Sequence, residues 1–348
     1  MKPLIIKNRK IGPGNPVYIV AEMSANHGQD FDKAVAIIES AKKAGADAIK
    51  LQTYTPDTIT IDSDNASFKL PDDLHGGLTL YELYKEAYTP WEWQPKLKEI
   101  AECLGLDFFS APFDTTAVDF LESMNVPVYK VASSELVDLP LIRRIARSKK
   151  PIIMSVGMAT LGEIERAVQI AFSEGSEQVA LLKCTVAYPA KPESMNLKTI
   201  PNLLDTFQVP VGLSDHTLGI EAPISAVALG ASIIEKHVTL DRTKDGPDAH
   251  FSLEMDEFKA MVTAVRRTES MLGSVIYGPV GKENVSRNYR RSLFAVTDIK
   301  EGEVLTDKNI RSIRPGDGLD PWLWDDILGR RARCEIKRGT PLTWVLVD

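Results

Sequence analysis

The sequence predicts an α/β protein: a parallel (β/α)8 TIM barrel followed by a small, mostly β, C-terminal domain. Three observations carry that expectation. Short apolar runs of β type alternate with helix-type periodicity eight times across roughly 260 residues, the count and length at which βα repeats close into a barrel. Polar and charged residues gather at the carboxyl ends of those runs, where Val, Ile or Leu would otherwise be expected. After Gly273 the alternation stops. An open doubly wound sheet is the rival, but no Gly-rich fingerprint follows the first strand.

The strands are expected at 17–20, 48–53, 107–110, 128–131, 152–155, 179–183, 211–213 and 232–234. The first helix, 31–44, has apolar residues at Ala34, Ile37, Ile38 and Ala41 and ends at Gly45. Further helices are expected at 80–88, 90–104 (proline in its first turn), 115–124, 140–148, 161–172, 201–206, 222–229 and 257–272. Residues 55–77, rich in Pro, Asp, Ser and paired glycines, read as a long loop near the active site, with His75 solvated in it. The barrel is assigned to 1–272 and an aperiodic linker to 273–290. The second domain, 291–348, consists of short β-like pieces punctuated by turns such as Lys300-Glu-Gly-Glu and Lys337-Arg-Gly-Thr.

At 348 residues, 44% hydrophobic and 26% charged, the composition is that of a soluble globular protein. A net charge of −7 argues against nucleic-acid or anionic-membrane partners. The three cysteines show no metal-type or redox-type spacing and read as reduced thiols of a cytoplasmic protein. No signal peptide is expected, and no run approaches the ~20 apolar residues that span a bilayer.

The most informative stretch runs from Gly212 to Leu240. It reads Gly-Leu-Ser-Asp-His to His216, then a small-residue helix stopped by Gly230, then Ile-Ile-Glu-Lys-His-Val-Thr-Leu. Strand, helix, strand makes the two runs parallel neighbours, so His216 and His237 leave the sheet at the same edge. Adjacent strands lie roughly 4.8 Å apart, so two imidazoles at matching positions can share one ion. The same pair also suits two buried, hydrogen-bonded histidines.

Reacting groups of a βα barrel stand at strand carboxyl ends and in the loops that follow. That filter returns Glu22, Asn26 and His27, then Lys50 and Gln52, then Ser110, then Lys130, Ser133 and Glu135. It continues with Ser155, with Lys183, Thr185 and Tyr188, and with Ser214, Asp215, His216, Glu235 and His237. Lys50 and Lys130 need partners, because an unpaired buried ammonium is costly. Either they pair with Glu22 or Glu135, or they hold a phosphate or carboxylate completed by the hydroxyls of Ser133, Ser155 and Ser214. Two lysines and several hydroxyls on an acidic chain favour an anionic small molecule, and no Walker-type loop points to a nucleoside triphosphate. Glu22 suits a general acid or base, a sugar-hydroxyl contact or a lysine counter-ion. Cys184 reads as a packing thiol, since no histidine lies near it in sequence, and His27 and His250 are weaker metal candidates than the strand-end pair.

These residues resemble the sialic acid (nonulosonic acid) synthase family, which joins phosphoenolpyruvate to an amino-sugar aldehyde. The matching pieces are Ala21-Glu-Met-Ser-Ala-Asn-His-Gly28, Gly45-Ala-Asp-Ala-Ile-Lys-Leu-Gln-Thr53, Phe109-Ser-Ala-Pro-Phe113 and Tyr129-Lys-Val-Ala-Ser-Ser-Glu135. Met154-Ser-Val-Gly-Met158, Gly212-Leu-Ser-Asp-His-Thr217, Glu235-Lys-His237 and Gly246-Pro-Asp248 extend the match. The C-terminal domain, with Arg314-Pro-Gly-Asp-Gly318, resembles the family's antifreeze-like (SAF, β-clip) module. Thr79-Leu-Tyr-Glu-Leu-Tyr84 and Tyr88-Thr-Pro-Trp-Glu-Trp93 look most like the branch that makes pseudaminic acid. Ala111, Lys183 and Val186 stand where neuraminate-forming members usually carry threonine, histidine and asparagine.

The resemblance implies that His216 and His237 ligate a divalent cation, Mn²⁺ first, with Mg²⁺ or Co²⁺ as alternatives. It implies that Lys50, Lys130, Ser133, Ser155 and Ser214 hold phosphoenolpyruvate, while Glu22, Gln52, Glu135, Tyr188 and Asp248 meet the amino-sugar aldose. Ser110 and Lys183 join the substrate-binding set from their strand-end positions. Glu22, Glu135 and the two histidines form the expected catalytic set, with either glutamate handling the proton. Arg314 is expected to reach an acyl-amino group in the partner's active site of a domain-swapped homodimer. The expected product is pseudaminic acid, with legionaminate or neuraminate synthesis as alternatives. Two other classes stand beside this: a non-catalytic ice- or carbohydrate-binding protein, and a metal-dependent aldolase.

Overall fold

The computed structural model describes residues 2–70 and 77–348, in two compact units, one ending at Gly273 and the other spanning Ser274–Asp348. The chain opens with an antiparallel hairpin, β1 (Leu4–Ile6) and β2 (Arg9–Ile11). Sequence reading assigns nothing there, since arms of three residues carry too little periodicity to register. Leu4, Ile6 and Ile11 pack onto the lowest interior layer of the barrel, against Tyr18, Ala48 and Val128 among others, and so close its floor.

Eight parallel strands follow: β3 (Tyr18–Glu22), β4 (Ala48–Thr53), β5 (Asp107–Pro112), β6 (Tyr129–Val131), β7 (Ile152–Ser155), β8 (Val179–Cys184), β9 (Val211–Asp215) and β10 (Ile233–Thr239). Each pairs with the next, and β10 pairs with both β9 and β3, which closes the expected barrel. A two-residue strand, β11 (Leu253–Glu254), adds to β10. Gly212 is needed at the closure, because a β-carbon there would overlap the carbonyl oxygen of Ile233 on β10.

Alternation along the strands sorts the side chains. Ile19, Ile49, Phe108, Met154, Leu213 and Ile234 point outward into the main core under the helices. Helix Phe31–Ala44 shows why these segments are helical: the Asp30 carboxylate caps it by accepting from the Lys33 amide, and Gly45 ends it at φ 97°. Inside the barrel, Val20, Phe109, Ile153, Leu182 and Ile233 fill the lower layers, and the layer above them is charged.

The seventh and eighth strands run further than expected, because outward Lys236 and Val238 and inward Glu235 and His237 all find partners or burial inside the fold. The long loop carries a helical turn at Pro56–Ile59 and a 3-10 turn at Ala66–Phe68, while His75 lies outside the described residues. In the second unit the segment before Ser292 carries only short turns, at Glu283–Ser286 and Arg287–Tyr289. Beyond it, β12 (Ser292–Ala295) pairs antiparallel with β13 (Ile310–Ile313) over a small core of Leu293, Ile299, Leu305, Ile336 and Leu342.

Candidate active site

The two histidines meet as the parallel reading of their strands requires. Leu213, Ser214 and Asp215 pair with Ile234, Glu235 and Lys236, and the imidazole centroids of His216 and His237 lie 5.2 Å apart. Phe251 walls both rings, with centroids 6.0 Å from His216 and 4.8 Å from His237. The His216 Nδ1 lies 3.0 Å from the Thr185 carbonyl oxygen, a contact that assigns the proton to Nδ1 and leaves the Nε2 lone pair free. Burial disfavours the His216 imidazolium, but the Cys184 thiol and the Thr185 carbonyl outweigh it and raise its pKa. His237 Nδ1 is buried with no hydrogen-bond partner, and burial, with His216 beside it, holds that ring neutral far below the usual histidine range.

A cation fits this pair. The orphaned buried nitrogen of His237, and the Nε2 of His216 once its proton is lost, are imidazole donors of the kind a borderline divalent ion takes. Among the described residues no group of three or more His, Cys, Asp or Glu is placed to hold a metal, so the protein would supply two ligands and leave positions open to water and substrate.

Around the same mouth lies a layer set by register: His237 pairs with Glu22, and Glu22 pairs with Lys50. Lys50 Nζ lies 2.6 Å from Glu22 Oε2 and 3.6 Å from Glu235 Oε1, and Lys130 Nζ lies 3.9 Å from the same Glu235 oxygen. Ser214 Oγ donates to Glu235 at 3.1 Å, and Lys130 donates to Ser155 Oγ at 2.6 Å. All six side chains are buried. Burial opposes ionisation of Glu235, but Lys130 and Lys50 overcome it and lower its pKa. Burial pushes Glu22 up to about 7 despite Lys50, and neither Glu22 oxygen has a well-aligned hydrogen bond. Burial also lowers the pKa of Lys130, while Glu22 and Glu235 more than offset it at Lys50. Two carboxylates face the two lysines, but Glu22, raised to about 7, carries only part of its charge at neutral pH, so the layer holds less than two negative charges. That imbalance, beside an open cation position, suits a small multiply charged anion. Of the two readings of the lysines, the ion pairs are the one the structure displays, with Glu235 rather than Glu135 as the second carboxylate.

Ser133 Oγ accepts from the Gly157 amide at 3.1 Å, and a β-carbon on Gly157 would press into Val186 and that hydroxyl. Glu135, in the 3-10 turn after β6, has a buried oxygen without a partner, and burial lifts its pKa to about 7. Tyr188 lies against His216 with centroids 4.6 Å apart and the rings tilted by 53°, and Gln52 donates to Ser24 Oγ at 3.0 Å. Ser24 in turn donates to Asp248, whose loop is pressed down where Gly246 meets the Ala25 carbonyl.

Three expectations change. Ser110 does not join the mouth: it is outward on β5, and its hydroxyl meets Thr53 Oγ1 at 2.6 Å, which in turn donates to Gln94 in helix Gln94–Cys103. Parity decides this, since Phe109 takes the interior position. Lys183 is outward by the same alternation but bends at the strand end to donate to Cys184 O at 2.7 Å and Thr185 Oγ1 at 3.0 Å. Cys184 has a histidine after all, His216 Nδ1 at 3.9 Å, brought there by pairing of β8 with β9. Both ring nitrogens of His27 and of His250 are engaged by protein atoms, so neither is free for a metal. Sequence reading gave no role to Ser24 or Phe251, and it returned Glu235 as a strand-end charge without pairing it to the lysines.

A closed βα barrel whose mouth gathers two imidazoles and two buried lysines places the chain in the class of barrel enzymes. The chain belongs to the NeuB family, which it matches over residues 37–277, and residues 290–348 match the SAF domain. It is 46% identical to pseudaminic acid synthase of Campylobacter jejuni, over 94% of this chain and 95% of that protein. It is 44% identical to pseudaminic acid synthase of Helicobacter pylori, over 94% and 97%. Among solved structures, N-acetylneuraminic acid synthetase of Leptospira borgpetersenii, in complex with citrate, superposes with a TM-score of 0.74 at 35% identity, covering 82% of this chain and 95% of that one.

Proposed function

We propose that this chain is a pseudaminic acid synthase that condenses phosphoenolpyruvate with 2,4-diacetamido-2,4,6-trideoxy-altrose, giving pseudaminic acid and phosphate. The observation that carries the reading is the pair of imidazoles 5.2 Å apart in the same mouth as the Lys50, Lys130 and Glu235 cluster. The 44–46% identity to pseudaminic acid synthases supports the choice of sugar.

Lys50 and Lys130, with Ser133, Ser155 and Ser214, receive the anionic enol. His216 and His237 would hold a divalent cation, Mn²⁺ by preference, which when bound polarises the sugar's aldehyde oxygen as a Lewis acid. Gln52, Tyr188 and Asp248 orient the sugar. Glu22 and Glu135, both near pKa 7, are each able to hold or give up a proton at neutral pH. Holding both reactants in one mouth removes much of the entropy cost of a bimolecular step, up to about 7–11 kcal/mol in ideal cases. The enzyme acts in the cytoplasm as a domain-swapped homodimer in which Arg314 reaches an acyl-amino group in the partner's site.

Phosphate release from phosphoenolpyruvate tests the reading, with three sugars compared with and without EDTA. Turnover is expected to be fastest on the altrose derivative and to stop with EDTA. Faster turnover of N-acetylmannosamine or of the 6-deoxy-mannose isomer would reassign the chain to neuraminate or legionaminate synthesis. No phosphate release with any amino-sugar would end the synthase reading and favour a binding protein or an aldolase.

A further inference from the structure

Ser24 opens the 3-10 turn Ser24–His27 directly after Glu22 and Met23, and its backbone φ is 48°, in the left-handed region. A residue with a β-carbon is disfavoured there and persists only where the surrounding structure over-determines it, which happens most at binding sites. The side chain is 2% exposed. What the conformation achieves is the aim of the hydroxyl. Ser24 Oγ accepts from Gln52 Nε2 at 3.0 Å and donates to Asp248 Oδ2, joining β4 to the loop after β10.

Among the described residues this is the only hydrogen bond of the Gln52 side chain, and the Asp248 carboxylate has one further partner, the Ala25 amide at 3.5 Å. With one end of each group committed to Ser24, the Gln52 amide oxygen and the second Asp248 oxygen remain as acceptors. We propose that Ser24 is a positioning residue for sugar selection: its hydroxyl clamps Gln52 and Asp248 at a fixed spacing, so that the two acceptors meet a pair of N–H or O–H donors on the amino-sugar. The inference rests on the sugar-facing role given to Gln52 and Asp248 above. A site built around acceptors discriminates against sugars lacking the matching donors, because a half-buried acceptor that the bound sugar covers without a donor loses its water unrepaid.

Two variants separate the hydroxyl from the strain. Ser24→Ala removes the clamp and keeps the β-carbon; Ser24→Gly removes both and relieves the backbone. In the metal-loaded enzyme, both are expected to raise the KM for the preferred sugar about 10–100-fold, the loss typical of a hydrogen bond to a charged group. The KM for phosphoenolpyruvate is expected to stay within about twofold, and the preference for the diacetamido sugar over N-acetylmannosamine to narrow. The Gly variant is expected to melt no lower than the Ala variant. Unchanged sugar KM and preference in the Gly variant would overturn the proposal, as would an equal rise in both KM values. If the unaltered enzyme turns over no amino-sugar, the functional reading itself falls and this inference with it; an active enzyme with indifferent variants sinks the inference alone.

Discussion

Asp215 and Lys236 form an ion pair of 2.5 Å on the outer face of the barrel, one residue before each of the two site histidines. Both side chains are fully buried, and Lys236 also donates to the Thr217 carbonyl while Asp215 accepts from the Thr217 amide at 3.0 Å. Because strand side chains alternate, a pair locked on one face sets the register of the imidazoles on the other.

Breaking that pair is expected to cost more than stability. Asp215→Asn leaves a buried ammonium without its counter-charge, a loss of about 3–5 kcal/mol by the usual behaviour of buried ion pairs. The double variant Asp215→Leu with Lys236→Met recovers much of that, since no charge is stranded, but frees the 215–217 segment that carries His216. Mn²⁺ titration followed by electron paramagnetic resonance is expected to show affinity reduced about 10–100-fold in the folded double variant. Unchanged affinity would show that the pair serves folding alone.

Lys130→Met keeps the volume of a side chain that donates to Ser155 and faces Glu235, and removes its charge. Losing one charge-assisted contact of about 1.5–3 kcal/mol corresponds to a rise of roughly 10–100-fold in the KM for phosphoenolpyruvate. Steady-state kinetics with each substrate varied in turn reads this, and a rise confined to the sugar KM would contradict the anion role.

His27 makes folding sensitive to acid. Burial, with the Lys33 charge adding to it, lowers its pKa from 6.5 to about 4. The unfolded chain therefore binds the proton first: the stabilisation is complete above pH 6.5 and is lost as pH falls from there to about 4, by about 3 kcal/mol in all. Glu22 and Glu135, raised to about 7, act with the opposite sign over the same range, so the effect is read as a difference. Urea midpoints of the unaltered chain are expected to fall more between pH 6.5 and 4 than those of His27→Gln. Parallel curves would count against the assignment.

Arg314→Ala is expected to raise the sugar KM without moving the phosphoenolpyruvate KM. Mixing that variant with a His216→Ala variant should restore up to about a quarter of full activity if the arginine works across subunits, since only one site in four is then intact by random pairing. No recovery on mixing would place its action within one chain.

Much of this protein is legible in its residues in order. The eight βα units, the stop at Gly45 and the change of character after Gly273 are local signals, because helix and strand periodicities are written within a dozen neighbouring residues. His216 and His237 could be paired in advance because a strand–helix–strand unit has one handedness and its strands lie side by side. Glu22, Lys50, Lys130 and Glu235 were visible as charges at strand ends, but which carboxylate serves which lysine depends on barrel closure, which brings β10 back to β3.

Sequence alone therefore determined the architecture, the layer where chemistry-bearing groups collect and the types of group found there. Tertiary structure alone decided which way Ser110 faces, that Cys184 meets His216, and that Ser24 ties Gln52 to an Asp248 that lies 224 positions beyond Ser24 itself. The physical reason is that periodicity is a short-range property of a backbone, whereas hydrogen-bond partners and ionisation are set by what the closed ring brings within about 4 Å.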